Sequence, residues 1–165
     1  MSESLWNDLD TYLVTEFKAF MNGFSNYKLK SVEINGITDP QSWRSKEFPF
    51  ASLESRREGF DILEHGEANT TSGQSRFNYV LVCAIVADKD DARTIAKIFD
   101  ARIRRFLQSQ MRSIESEVTD TAGSHPAEII LGRCEISTIP IVGSTSNQYY
   151  GIAMRAFDVT AHMEE

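Results

Sequence analysis

Only two cysteines stand among the 165 residues, Cys83 inside an apolar strand and Cys134 in a second expected strand, at no spacing that would make a zinc knuckle or a redox pair. Both read as buried free thiols. Histidine is nearly as scarce: His65, His125 and His162 lie far apart, none at ligand spacing to another, so no metal site is expected. Long apolar runs are missing too. No window nears the ~20 residues of a membrane span, and Met1-Ser2-Glu3-Ser4 lacks the basic and apolar regions of a signal peptide, which predicts a protein made and used in a cytoplasm, with no membrane. Positive charge is in deficit. The formal charge of −7 disfavours a generic nucleic-acid coat, because phosphate binding wants a positive face, but leaves room for a local basic patch.

Sequence signatures of catalysis are absent as well. Gly143-Ser144-Thr145-Ser146 lacks the spaced glycines and the lysine of a phosphate cradle and reads as a turn. No serine sits in a Gly-x-Ser-x-Gly elbow, and Cys83 is enclosed in an apolar strand. Glu64-His65 with Glu67 has acid–base potential, yet turn-flanking polarity explains it better. The expectation is a protein that is not an enzyme, with no catalytic residue, cofactor or metal.

What is present is an ordinary globular composition, 41% hydrophobic and 25% charged, in a chain sized for a single domain spanning 1–165. From Leu5 to Met21, Leu5, Leu9, Tyr12, Leu13, Phe17, Phe20 and Met21 recur at three- and four-residue steps, which predicts a helix with one buried face, stopped at Gly23 by left-handed geometry. Lys28 to Ile34 predicts a short strand ending at Asn35-Gly36, and Thr38 to Trp43 an ordered loop or helical turn. Phe48 to Glu54 looks extended, with Pro49 marking a strand start or an edge. Gly59 to Glu64 is a further strand candidate, and Gly66 to Ser75 a polar loop. The run Phe77 to Ala87 is apolar on both faces near its middle, as a covered central strand should be.

Asp88 or Asp91 can cap the helix that follows, which runs through about Met111 with Ile95, Phe99, Ile103, Phe106 and Gln110 on one side and Arg93, Lys97 and Arg104 on the other. Ser113 to Ala127 reads as a frayed helix end running into a mobile loop. Glu128 to Ile141 forms a strand with a bulge or bend near Gly132, and Gly143 to Gln148 a hairpin loop. In the last strand Tyr149, Gly151, Ala153, Arg155, Phe157 and Val159 alternate with Tyr150, Ile152, Met154, Ala156 and Asp158. The fold class is therefore α+β, a single domain with a mostly antiparallel sheet and with the N-terminal helix and the long central helix packed on one side. Arg56-Arg57 and Arg102, Arg104, Arg105 and Arg112 form two basic clusters, read as solvated helix faces or intersubunit ion pairs because acids accompany them.

With these elements in order, the chain from about Leu5 to Thr160 resembles the tail terminator (tail completion) proteins of tailed bacteriophages. The opening helix, Phe48-Pro49-Phe50-Ala51-Ser52-Leu53, Tyr79-Val80-Leu81-Val82, Asp91-Ala92-Arg93-Thr94-Ile95-Ala96 and Tyr149-Tyr150-Gly151-Ile152-Ala153-Met154 carry the resemblance. It implies a virion protein, assembled in the host cytoplasm, that forms a ring, usually a hexamer, at the head-proximal end of the tail tube. Such a ring ends tube polymerisation and joins the tail to the head. The implied partners are further copies of the chain, the tail tube protein and the head-proximal connector or neck protein, with DNA passing through the lumen without specific binding. Contact candidates are Thr70 and Ser72 in the Gly66 to Ser75 loop, Ser144 and Asn147 in the Gly143 to Gln148 loop, and the basic residues Arg56, Arg57, Arg93, Lys97 and Arg104. The Ser113 to Pro126 loop ranks third among the loops. Alternatives are another head–tail joining or tube protein of the same virion, or a host small-molecule-binding or regulatory α+β domain.

Overall fold

Four-residue spacing of large apolar side chains governs how the first helix docks. In the computed structural model, which describes residues 2–36, 43, 46–56, 74–119, 123–143 and 147–162, α1 spans Ser2–Asn22. Its Leu5, Leu9, Leu13, Phe17 and Met21 are all buried. At about 2 kcal/mol per buried side chain, that stripe contributes on the order of 10 kcal/mol before chain entropy is charged against it. Such a sum rivals the whole net stability of a domain. Asp10 lies on the same face, where its carboxylate accepts the Tyr79 hydroxyl at 2.8 Å.

After α1 come β1 (Ser31–Ile34), β2 (Phe50–Arg56), β3 (Gln74–Ala87), α2 (Lys89–Glu117), β4 (His125–Pro140) and β5 (Tyr149–His162). The strands form one sheet in the order β1-β2-β3-β5-β4, parallel between β1 and β2 and antiparallel elsewhere. Both helices pack on one face, so the predicted α+β arrangement is the observed one. Alternate residues of β3 and β5, among them Phe77, Tyr79, Leu81, Cys83, Ala153, Phe157 and Val159, point into the helix-side core with Ile95, Phe99, Ile103 and Phe106 of α2. Phe17 and Phe106 meet edge to face with ring centres 5.1 Å apart, joining the two helices.

A smaller cluster covers part of the opposite face, where Trp43, Phe50, Val82, Ala84, Tyr150 and Ile152 are buried together. Trp43 stands edge-on to Phe50 at 5.0 Å and to Tyr150 at 5.4 Å. Residues of both parities are thus buried over Leu81–Ile85, which is why this strand shows no alternation in the sequence. Towards the other end this face turns polar, with Arg76 and Asp158 3.9 Å apart.

Several expectations need correction. Gly23 follows the last helical residue, but the left-handed residue is Tyr27 (φ 55°), and the Gly23 N–H instead closes a tight turn on the Phe20 carbonyl at 3.2 Å. Of the two readings of Pro49, a strand start or an edge, the first holds: β2 begins at Phe50 and lies between β1 and β3. The segment expected to fray after Met111 stays helical to Glu117 because Ile114 continues the buried face, and Val118 is buried as well. Strand β4 starts at His125, ahead of the expected Glu128. Cys134 is exposed on that edge strand, whereas Cys83 is buried as expected. The bend near Gly132 is present as a register shift between Leu131 and Cys134, joined by a second shift between Pro126 and Glu128. The strand expected at Gly59 to Glu64 and the turn at 38–42 lie outside the described residues. Among the described residues, no helix is long and apolar enough to cross a membrane.

Candidate assembly surface

Because α2 crosses the sheet above β5 and β4, its flank overhangs a sheet edge. The helix starts where the Asp88 side chain accepts the Asp91 backbone N–H at 2.9 Å. The Asp88 charge, then its hydrogen bond, hold the Asp91 carboxyl above the usual aspartate range. From this acidic first turn the exposed flank becomes basic. Arg93, Lys97 and Arg104 fall within about 40° of one another around the axis, and all three are exposed. Among the described residues none of them makes an ion pair.

Arg93 and Lys97 line a groove of about 350 Å³ with Ile136, Ser137 and Thr138 of β4. The floor of this groove belongs to an edge strand. β4 runs 16 residues and pairs with β5 alone among the described residues. Its outer backbone N–H and C=O groups are a template for a further strand. From Cys134 to Pro140 the pairing with β5 is uninterrupted, while the two register shifts fall before that stretch. The strand therefore presents one regular segment, and that segment lies under the cations.

Two contacts fix the groove's geometry. Gly151 of β5 sits so close to α2 that a Cβ there would stand 2.2 Å from the Ala92 carbonyl oxygen, so only glycine lets the helix start against the sheet. Arg155, buried on the helix side of β5, donates to Asp100 Oδ1 of α2 at 3.1 Å and to the Gly132 carbonyl at the β4 shift at 3.2 Å. One guanidinium thus ties α2, β5 and β4 together.

Placement of the other contact candidates varies. Arg56 is the last residue of β2, opposite Asn78, on a different strand from the groove. Asn147 is exposed just before β5. Arg57, Thr70, Ser72 and Ser144 lie outside the described residues, as does nearly all of the Gly66 to Ser75 loop. Of the loop placed third, Ser124 and Pro126 are buried and strand pairing has already begun at His125. Arg102, grouped with the solvated cations in the sequence, is buried on the packed face of α2. It donates to Asn26 O at 3.0 Å and Asn26 Oδ1 at 2.5 Å and stacks 3.9 Å from the Phe24 ring centre. Burial lowers its pKa from the ordinary arginine value. Its helical phase, shared with Phe99 and Phe106, was the signal in the sequence that could have separated it from Arg104.

A second cavity of about 380 Å³ lies at the aromatic end of the helix-free face, lined by Lys46, Phe48, Val86, Ile141, Val142, Gly143, Gln148 and Tyr150. Lys46 is held there by Glu33 at 2.7 Å. No protein-family model matches the chain, and no curated protein matches it.

Proposed function

We propose that this chain is a structural subunit of a phage tail, a terminator that assembles as a ring on the head-proximal end of the tail tube, stops its growth and presents a surface to the head connector or neck. The observation that supports this reading most is the regular Cys134 to Pro140 edge of β4, which among the described residues pairs with β5 alone, flanked by Arg93 and Lys97, which make no ion pair among those residues. A long bare edge is a liability in a free monomer and an asset in an assembly, where a neighbour satisfies it. The same patch on every copy, meeting a different patch on the next, makes a heterologous contact that closes into a ring when the rotation allows. Binding is then the whole function. The surplus of 24 acidic over 17 basic residues suits a lumen through which DNA slides without sticking.

Light scattering on a sizing column, with and without purified tail tubes, tests this reading. The expected result is a hexamer, either alone or seated on tube ends, and triple charge reversal at Arg93, Lys97 and Arg104 should reduce that association while leaving the circular dichroism spectrum unchanged. A persistent monomer that ignores tubes sinks the proposal. The cavity beside Phe48 and Tyr150 favours one other reading, a small-molecule-binding domain, because its volume is in the ligand-pocket range. A monomer stabilised by metabolites would select it.

A further inference from the structure

His125 opens β4 and His162 closes β5, and the strand register sets these two residues opposite each other. Their ring centres are 5.6 Å apart, with planes inclined by 35°. Both side chains belong to the face away from the helices, since Ala161, the next residue along β5, is buried in the helix-side core. Separation along the chain gave no hint of the pair, because cross-strand neighbours are chosen by register.

Hydrogen bonding sets the tautomer of one ring. Nδ1 of His125 lies 3.0 Å from the Pro126 carbonyl oxygen. A carbonyl only accepts, so in the neutral ring the proton sits on Nδ1 and the lone pair on Nε2. A fixed nitrogen on one side and a coordinating nitrogen on the other is how imidazole is presented to metals. Two imidazoles on one metal, with bonds of ~2.0–2.1 Å, have ring centres about 5 Å apart at a tetrahedral angle and slightly further apart as the angle opens. The observed spacing needs only a small closure to reach that geometry.

We propose that His125 and His162 form a two-imidazole site for a late first-row divalent cation, Zn²⁺, Ni²⁺ or Cu²⁺, that clips the start of β4 to the end of β5. Nitrogen donors select these ions over Mg²⁺ and Ca²⁺, which take oxygen. No group of three or more His, Cys, Asp or Glu side chains with metal-binding geometry occurs among the described residues, so those residues supply two protein ligands and leave the other coordination positions open to water. The site does not depend on the assembly reading, since both ligands come from one copy.

Calorimetric titration of the tag-free chain with Ni²⁺ tests the proposal, alongside His125→Ala, His162→Ala and His65→Ala. One saturable site in the wild type, lost in either of the first two variants and kept in the third, is the expected result, together with a rise in melting temperature on Ni²⁺ addition that both ligand variants lose. Melting curves without metal separate lost binding from lost folding. A Cu²⁺ electron paramagnetic resonance spectrum of the wild type should show coupling to two ring nitrogens. Saturable binding that survives either ligand substitution, a spectrum with a single ring nitrogen, or no saturable binding overturns the proposal.

Discussion

Gly151→Ala is a one-carbon change with a large expected cost. The added Cβ would stand 2.2 Å from the Ala92 carbonyl oxygen, 2.8 Å from its carbon and 3.0 Å from its Cα. An ordinary C···O contact begins near ~3.3 Å, so helix and strand must separate by about 1.1 Å. The obstacle is backbone: Ala92 N–H already bonds the Asp88 carbonyl at 2.8 Å in the first turn of α2, so no rotamer change relieves the clash. Overpacking of this kind costs about 1–3 kcal/mol, and the rigid neighbour puts this case near the upper end. A loss of about 3 kcal/mol lowers the melting temperature by ~6–12 °C in a chain of this size. Thermal and urea denaturation followed by circular dichroism supply the readout. Gly132→Ala is the comparison, because its nearest obstacle, the Ala156 carbonyl oxygen on the interior strand β5, stands 3.0 Å away and need give by only a few tenths of an ångström, so the cost should fall at the lower end, about 1 kcal/mol. A Gly151→Ala protein as stable as the wild type would refute the argument that this glycine seats α2, and with it the groove under Arg93, on the sheet.

Three further outcomes follow from the described geometry. Asp100→Asn removes the carboxylate facing a buried arginine whose Nε has no acceptor among the described residues, so it should cost about 1–3 kcal/mol in urea denaturation; an unchanged midpoint would show that Arg155 does not depend on it. A thiol reagent should titrate one cysteine, Cys134, in the native protein and two in denaturant, because burial pushes the Cys83 thiol up and shields it; two fast native thiols would contradict this. Burial, opposed in part by Arg76, raises the Asp158 carboxyl above its ordinary 3.8, so the folded state holds that proton more tightly than the unfolded one. The penalty for ionising Asp158 grows as pH rises through the folded pKa and vanishes below the unfolded value. Asp158→Asn should therefore be the more stable protein at pH 7 and lose that advantage towards about pH 4; an advantage independent of pH would point to another cause.

Local periodicity carried most of the architecture. The α1 stripe from Leu5 to Met21 and the α2 face from Ile95 to Gln110 were legible because helix burial repeats within a few residues. Alternation in Tyr149 to Val159 likewise separated the helix side of β5 from its opposite face. What escaped depends on partners distant in sequence. Arg102 read as one of several cations until Asn26 and Phe24 were brought against it. Cys134 read as buried because free cysteines in strands usually are, but an edge strand leaves such positions open. The His125 and His162 pairing exists only through the register of β4 on β5. Of the contact candidates, Arg93, Lys97 and Arg104 were legible as one exposed helix flank, whereas the strand edge beneath the first two required the sheet order.

Negative-stain microscopy of particles assembled without this chain tests the central claim most directly. A terminator predicts tubes of uncontrolled length, or finished tails detached from filled heads, with wild-type morphology restored when the chain is supplied and not when it carries the triple charge reversal. Absent tubes would identify a tube protein instead, and normal tails joined to heads would contradict the account.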